Sequence, residues 1–257
     1  MAKKLYPESA VQAIANAIRA KNGSSETYTI GEMAQAIEDI PSGDDVFKAG
    51  TIGTTFNGYK DIGEVHVPDS VTSIGTSAFQ NCTGLASIDL PDSLTSIGQN
   101  AFYGCSSLAS IDIPDSVTSI GTSAFQNCSS LVSIDLPDSV TSIKNNTFQN
   151  CTGLESIDLP DSLTSIDQYA FSGCPKLVSI DIPDSVTSIG TSAFANCSKL
   201  TSITCRATIP PTIQANTLTS VPSRASIYVP AESVEAYKAA ANWSARADYI
   251  KAIPSEG

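Results

Sequence analysis

Seven cysteines, two columns of aspartates and a single histidine are the side chains in this sequence with reactive chemistry to offer. Cys82, Cys105, Cys128, Cys151, Cys174 and Cys197 fall 23 residues apart, and only Cys205 lies off that grid. A disulfide framework staples unlike loops together, and zinc draws closely spaced ligand pairs into a tetrahedron. One thiol at the same place in every unit fits neither demand, so the series reads as a column of small apolar side chains. Asp89, Asp112, Asp135, Asp158 and Asp181 form one acidic series, and Asp69, Asp92, Asp115, Asp138, Asp161 and Asp184 form another. Acid–base catalysis needs two carboxyls in different surroundings, so that their pKa values separate. Here every unit offers the same carboxyl in the same setting. His66 precedes the series without an evident acid or nucleophile partner and reads as a surface or capping residue. The sequence holds no phosphate loop, nucleophile elbow or metal motif, and an enzyme is not expected.

The elements that position these residues are copies of one unit. Pro68, Pro91, Pro114, Pro137, Pro160 and Pro183 recur with the same 23-residue spacing, as do the phenylalanines from Phe79 to Phe194 and the leucines from Leu85 to Leu200. One unit reads Leu85-x-x-Ile88-x-Leu90-Pro91-Asp92-Ser93-Leu94-x-x-Ile97-x-x-x-Ala101-Phe102-x-x-Cys105. Its Leu-x-x-Ile-x-Leu opening has the pattern of a leucine-rich-repeat strand. Period-two alternation puts Ile88 and Leu90 inside and Ser87 and Asp89 outside. Pro91 ends this main strand because it has no N–H to continue a ladder. Leu94 and Ile97 sit in a second short extended piece, and Ala101-Phe102-x-x-Cys105 suits a single helical or 3₁₀ turn. A 23-residue unit cannot bury its apolar face alone, so the expected fold is a mainly parallel β solenoid stabilised by neighbouring units.

The flanks have other compositions. Val11, Ile14, Ala15 and Ile18 lie at helical spacing, and Thr29 begins a second short helix through Met33, Ala36 and Ile37; residues 1–43 read as a small helical module. Residues 44–67 read as an extended linker with a capping strand at Glu64-Val65-His66-Val67. Six repeats then occupy residues 68–205. Residues 206–257 read as a C-terminal cap, with a last strand at Ile227-Tyr228-Val229-Pro230 and a short helix from Ser233 to Ala241.

The formal charge of −12, from 26 acids and 14 bases, opposes nucleic acid and anionic lipid as partners. No stretch approaches the ~20 apolar residues of a membrane span. The N-terminus starts like a signal peptide, but Pro7, Glu8, Gln12 and Asn16 interrupt the apolar region. The expectation is a virion or extracellular, cell-surface location, reached without a visible signal peptide.

The repeat Leu-x-Ser-Ile-Asp-Leu-Pro-Asp-Ser-Val-Thr-Ser-Ile-Gly-x-x-Ala-Phe-x-Asn-Cys resembles the BspA-like surface-antigen type of leucine-rich repeat, over Pro68 to Cys205. Ile227-Tyr228-Val229-Pro230 through Lys238 resembles a closing segment of that family. Ala13 to Gly23 and Tyr28 to Ala34 resemble a short segment of phage tail and fibre proteins of Gram-positive hosts. The resemblance implies adhesion or host-surface recognition, and the tail-fibre likeness adds the expectation of a homo-oligomer. It transfers no functional residues.

Two surfaces are therefore candidates. On the strand face, Asp112, Asp135 and Asp158 stand ~4.8 Å apart, with repulsion of roughly 1 kcal/mol per pair in water. Calcium, or a hydroxyl-rich glycan, would suit them; a solubility role for these, and a backbone-bonding turn role for the post-proline aspartates, are the structural alternatives. The other candidate is the segment where copies differ most. Lys144, Asn145 and Asn146, then Asp167, Gln168 and Tyr169, depart most from the Gly-Thr-Ser of the first, third and sixth copies and the Gly98-Gln99-Asn100 of the second, and Tyr103 stands at another variable place. Lys144 and Asp167 could pair across adjacent units. The expected partner is a cell-surface glycan or protein; the alternatives are a rigid spacer without a ligand and drift at unconstrained positions.

Overall fold

The computed structural model describes residues 47–48, 51–53, 56–60 and 62–254. The two helices expected within residues 1–43 lie outside the described residues. Each unit makes one coil, and two extended segments per coil stack in parallel on their equivalents. The first column pairs Glu64–His66 with Ser87–Asp89, and later joins Ser179–Ile182, Ser202–Cys205, Ser226–Val229 and Ile250–Ala252 in one sheet. The second column joins Thr51–Ile52, Ser73–Ile74, Ser96–Ile97 and Ser119–Ile120, with Phe47–Lys48 antiparallel at its outer edge. It resumes as a separate sheet through Ser142–Ile143, Ser165–Ile166, Ser188–Ile189 and Thr212–Ile213.

The shorter second piece, and not the expected main strand, thus carries the more regular ladder. Its Thr-Ser-Ile-Gly segment supplies an N–H at every residue, as in Thr95 to the Thr72 carbonyl (2.8 Å) and Gly98 to that of Ile74 (2.8 Å). The first piece stops at a proline in every copy.

The Ala-Phe-x-x-Cys segment is not the expected helical turn. Two residues per coil are left-handed, for example Ser77 (φ 58) and Asn81 (φ 58), or Asn100 (φ 55) and Gly104 (φ 72). A left-handed residue breaks a helix and turns alternate N–H groups along the solenoid axis. Phe79 donates to the Ala101 carbonyl (2.8 Å) and Asn81 to that of Tyr103 (2.6 Å), while Ala78, Gln80 and Cys82 close locally on Gly75, Ser77 and Phe79. Asn, Ser and Gly tolerate this conformation better than most residues, which explains their place in the unit.

Inside, the rings from Phe56 to Phe194 form one stack with centroids 5.2–5.6 Å apart and planes within 10° of parallel. This is offset stacking at a spacing set by the coil pitch. The stack starts one coil before Phe79: the expected capping strand at Glu64–His66 pairs with the first repeat, and the described residues Thr51–Gly53 and Phe56–Lys60, in the stretch expected as linker, take the second-strand and phenylalanine positions of the same coil. Ile52-Gly53-x-x-Phe56 is the Ile74-Gly75-x-x-x-Phe79 segment shortened by one residue.

The cysteines do more than fill space. All seven are buried and free. On the grid, each thiol donates to the carbonyl of the phenylalanine one coil earlier, from Cys82 to Phe56 (2.8 Å) through Cys128 to Phe102 (3.1 Å) and Cys197 to Phe171 (3.2 Å). The carbonyls of Phe79, Phe102, Phe125 and Phe148 also receive the N–H of their own coil's cysteine, as in Cys105 to Phe102. Burial pushes the thiols up, to about 12 at Cys82 and Cys197.

At the far end Ser226–Val229 is not the last strand. After the helix Val234–Ala239 the chain returns as Ile250–Ala252, parallel to Ser226–Val229. The Tyr237 hydroxyl lies 2.8 Å from the Ala207 carbonyl and 3.1 Å from Cys205 Sγ. Trp243 Nε1 donates to the Pro211 carbonyl (2.8 Å), and the Arg246 guanidinium takes those of Leu218, Val221 and Pro222. These side chains satisfy carbonyls that a further coil would otherwise meet, and so close the column.

Cys128→Ala is expected to cost about 1–3 kcal/mol in urea denaturation, through the lost sulfur volume and the lost donor. Thiol reagents should leave the folded chain unlabelled near pH 8. Because the folded thiol pKa is raised, its contribution to stability is full below the ordinary thiol range. It fades as pH climbs from there towards 12, which denaturation midpoints at rising pH will read. In the second column, a Cβ on Gly121 would sit 2.5 Å from the Gln99 nitrogen. Gly121→Ala should therefore lower stability by about 1–3 kcal/mol in the same assay.

Candidate functional site

The strand aspartates are exposed, with their neighbours Ile88, Ile111, Ile134, Ile157 and Ile180 buried on the other face. The column is closed at both ends by partners. His66 Nδ1 lies 2.6 Å from Asp89 Oδ2, so the histidine does have an acid partner. Its strand occupies the rung before the first aspartate, in register His66↔Asp89, and the imidazole takes the carboxylate's place in the column. At the other end Arg206 grips Asp181 with both ends of its fork, Nε to Oδ1 at 2.9 Å and Nη2 to Oδ2 at 2.5 Å. Asp181 first, and Asp161 and Asp184 more weakly, raise the pKa of that guanidinium above its ordinary value. Both pairs are exposed, so each adds little stability.

Between these ends, no ion pair among the described residues reaches Asp112, Asp135 or Asp158. Regular strands of this column hold Asp89 and Asp181, the two carboxylates with partners. The stretch with unpaired carboxylates keeps only the single bridge Asp135↔Asp158. Like charges one rung apart weaken the ladder beneath them. Among the described residues no three His, Cys, Asp or Glu side chains converge as metal ligands would. The post-proline aspartates do not take the turn role expected of their side chains. The serine that follows does the bonding: Ser93 donates to the Val71 carbonyl (2.7 Å), and Ser116 to that of Leu94 (2.5 Å).

The variable edge lies elsewhere on the coil, in the turn after the second strand. Lys144, Asn145 and Gln168 are exposed, while Asn146, Asp167 and Tyr169 are half-buried. The two segments are brought together on adjacent rungs. Asn146 donates its N–H to the Gln168 carbonyl (3.0 Å), and the Gln168 N–H is held by Asn145 Oδ1 (3.1 Å). The expected Lys144–Asp167 ion pair does not form. Fixing a long lysine in water returns too little to hold it there. Tyr103 is not part of this edge. It occupies the position of Gln80, Gln126 and Gln149, in a turn where amides ladder between coils, as Gln126 does to Gln149 (2.7 Å). Three coils separate it from Tyr169, roughly 14 Å at the strand spacing.

Two features escaped the sequence reading. Thr147 stands in the buried alanine column, its hydroxyl donating to the Lys144 carbonyl (2.9 Å). The position after each repeat leucine also varies on the strand face, from Ala86 and Ala109 to Val132, Glu155, Val178 and Thr201. There Val132 is 44% exposed, Val178 is 49% exposed, and Glu155 pairs with Lys176 (3.0 Å). The signal was present, because this is a place where otherwise identical copies differ.

The chain matches the family described as BspA type leucine rich repeat region over residues 51–151 and 118–242, in six copies. It is similar to a leucine-rich repeat protein of T. pallidum, with 36% identity over 63% of this chain and 76% of that one, at a TM-score of 0.55. It is also similar to a leucine rich cell surface protein of Faecalibacterium prausnitzii, with 41% identity over 64% of this chain and a TM-score of 0.59. The likeness spans 45% of the length of that protein. No curated protein matches the sequence. No helix among the described residues is long and apolar enough to cross a membrane. With its coils, buried columns and matched residues taken together, the chain belongs to the BspA-type leucine-rich-repeat family.

Proposed function

We propose that this chain is a non-enzymatic recognition module that holds a cell-surface glycan or protein against its solenoid. The observation that carries this reading is the contrast between buried columns that barely change and a turn edge that changes at Lys144–Asn146 and Asp167–Tyr169. The similarity to a cell surface protein supports it. Repeated identical carboxyls do not separate acid from base, which favours binding over catalysis. The resemblance of residues 13–34 to tail proteins makes residues 1–43 the tether to a phage tail in this proposal. A rigid spacer is the second reading, favoured by the near-identity of the copies and the unbroken phenylalanine stack.

The test is binding of the labelled full chain to a panel of intact bacteria and animal cells. Saturable binding is expected, weakened about tenfold or more when Lys144, Asn145, Gln168 and Tyr169 are changed to alanine, a loss of about 1.4 kcal/mol or more. Absence of binding to every surface would favour the spacer. The proposal gives the aspartate column no ion: Tm should be the same with calcium and with chelator, and a calcium-dependent rise would reassign that face.

A further inference from the structure

We infer that the turn edge formed by the fourth and fifth repeats is a binding site for a neutral oligosaccharide; this rests on the recognition reading above. The edge departs from the repeat in ways that cost stability. At the position of Lys144 four of the other five copies carry glycine and the fifth carries Asp167; a Cβ built on the glycines crowds the preceding coil, meeting the Ile52 oxygen at 2.5 Å from Gly75 and the Gln168 nitrogen at 2.6 Å from Gly190. The second-column ladder is interrupted where the lysine enters. Thr95, Thr118, Thr164 and Thr187 each donate to the threonine one coil earlier, and Gly98, Gly121, Asp167 and Gly190 to the preceding isoleucine. Among the described residues Thr141 and Lys144 make neither bond, and the sheet divides between Ser119–Ile120 and Ser142–Ile143. Thr147, larger than the alanine it replaces, adds bulk below the same point. One coil later Tyr169 holds φ 57 where other copies have serine or asparagine. A bulky side chain is rare in that conformation. Such outliers persist where something other than folding retains them.

Among the described residues these departures place an ammonium and a carboxylate without an ion pair, two exposed amides and a half-exposed phenol on two adjacent rungs. The Asn145 oxygen is engaged by Gln168 N–H, and among the described residues its Nδ2 makes no hydrogen bond and can donate to a ligand. Adjacent rungs lie about 5 Å apart, so the two segments together face about one sugar ring. Mixed donors and acceptors beside one aromatic face match hydroxyls alternating with C–H surface. A protein partner would need about 800 Å² with buried aromatic anchors, and one half-buried tyrosine does not supply them. The net charge of −12 disfavours polyanionic sugars.

The test uses the full chain and a printed array of neutral, sialylated and sulfated oligosaccharides, with cell binding in parallel. Lys144→Gly with Thr147→Ala, and separately Tyr169→Asn, restore the repeat and are expected to raise Tm while lowering binding to a neutral oligosaccharide at least tenfold. Variants that gain stability and bind undiminished would show drift and overturn the site. A wild-type chain that binds cells but no neutral oligosaccharide would overturn the ligand class and leave recognition standing. A chain that binds neither would overturn both.

Discussion

Each coil is held to the next by backbone hydrogen bonds along the solenoid axis, and this fixes every side chain about one strand spacing from its counterpart in the neighbouring copy. The rest of the molecule follows from that near-translation. An apolar ring over a copy of itself gains contact on both faces, so the phenylalanines form an unbroken stack and are fully buried from Phe79 to Phe171. A donor over a carbonyl repeats equally well, and the thiols, the turn serines and the strand threonines all donate to the coil before. A carboxylate over a carboxylate does not repeat well. The strand aspartates stay exposed, and their column is regular at the ends where His66 and Arg206 break the sequence of like charges.

The solenoid, its two extended segments and the inward columns were legible in the sequence because translation turns a local pattern into a global one. A 23-residue period with Ile88 and Leu90 alternating against Ser87 and Asp89 leaves few other ways to bury the apolar face. The turn was harder to read. Ala-Phe-x-x-Cys has helical spacing, and only the recurring asparagine, serine or glycine beside it shows that the backbone must go left-handed there. The repeat-like positions of Ile52 and Phe56, ahead of the expected capping strand, and the strand Ile250–Ala252 are harder to read for a related reason. Their coils do not have a copy of the repeat on both sides, so their sequences depart from it and the period fades where Phe56 and Ile250 still obey it.

The candidate surfaces were legible as positions but not as arrangements. The sequence places Lys144 and Asp167 at equivalent points of adjacent units, which brings their segments together but does not make them pair. It places His66 outside the repeats, although strand register sets it directly over Asp89. Tyr103 and Tyr169 look alike as exceptions, yet one sits within an amide turn and the other on a strained rung three coils away. Spacing along the chain gives the column and the rung. Partners depend on which neighbouring groups reach across, and that is settled only in the folded chain.

A perfect repeat is a poor specific binder, because a ligand that fits one rung fits the next equally well and finds no register. Register has to come from a rung that differs. In a solenoid that difference carries an energetic cost, since a new side chain meets two copies of the old one. Surface drift is free to accumulate where the neighbours leave room, as at the strand-face position held by Ala86, Val132, Glu155 and Val178. It is resisted where they do not, as at the glycine column and the left-handed turn position. The two kinds of variation therefore carry different weight. Substitutions at open positions are compatible with neutrality, whereas Lys144 and Tyr169 stand at crowded or strained positions on adjacent coils. On the proposed reading, their coincidence makes that edge the place where a ligand finds its register.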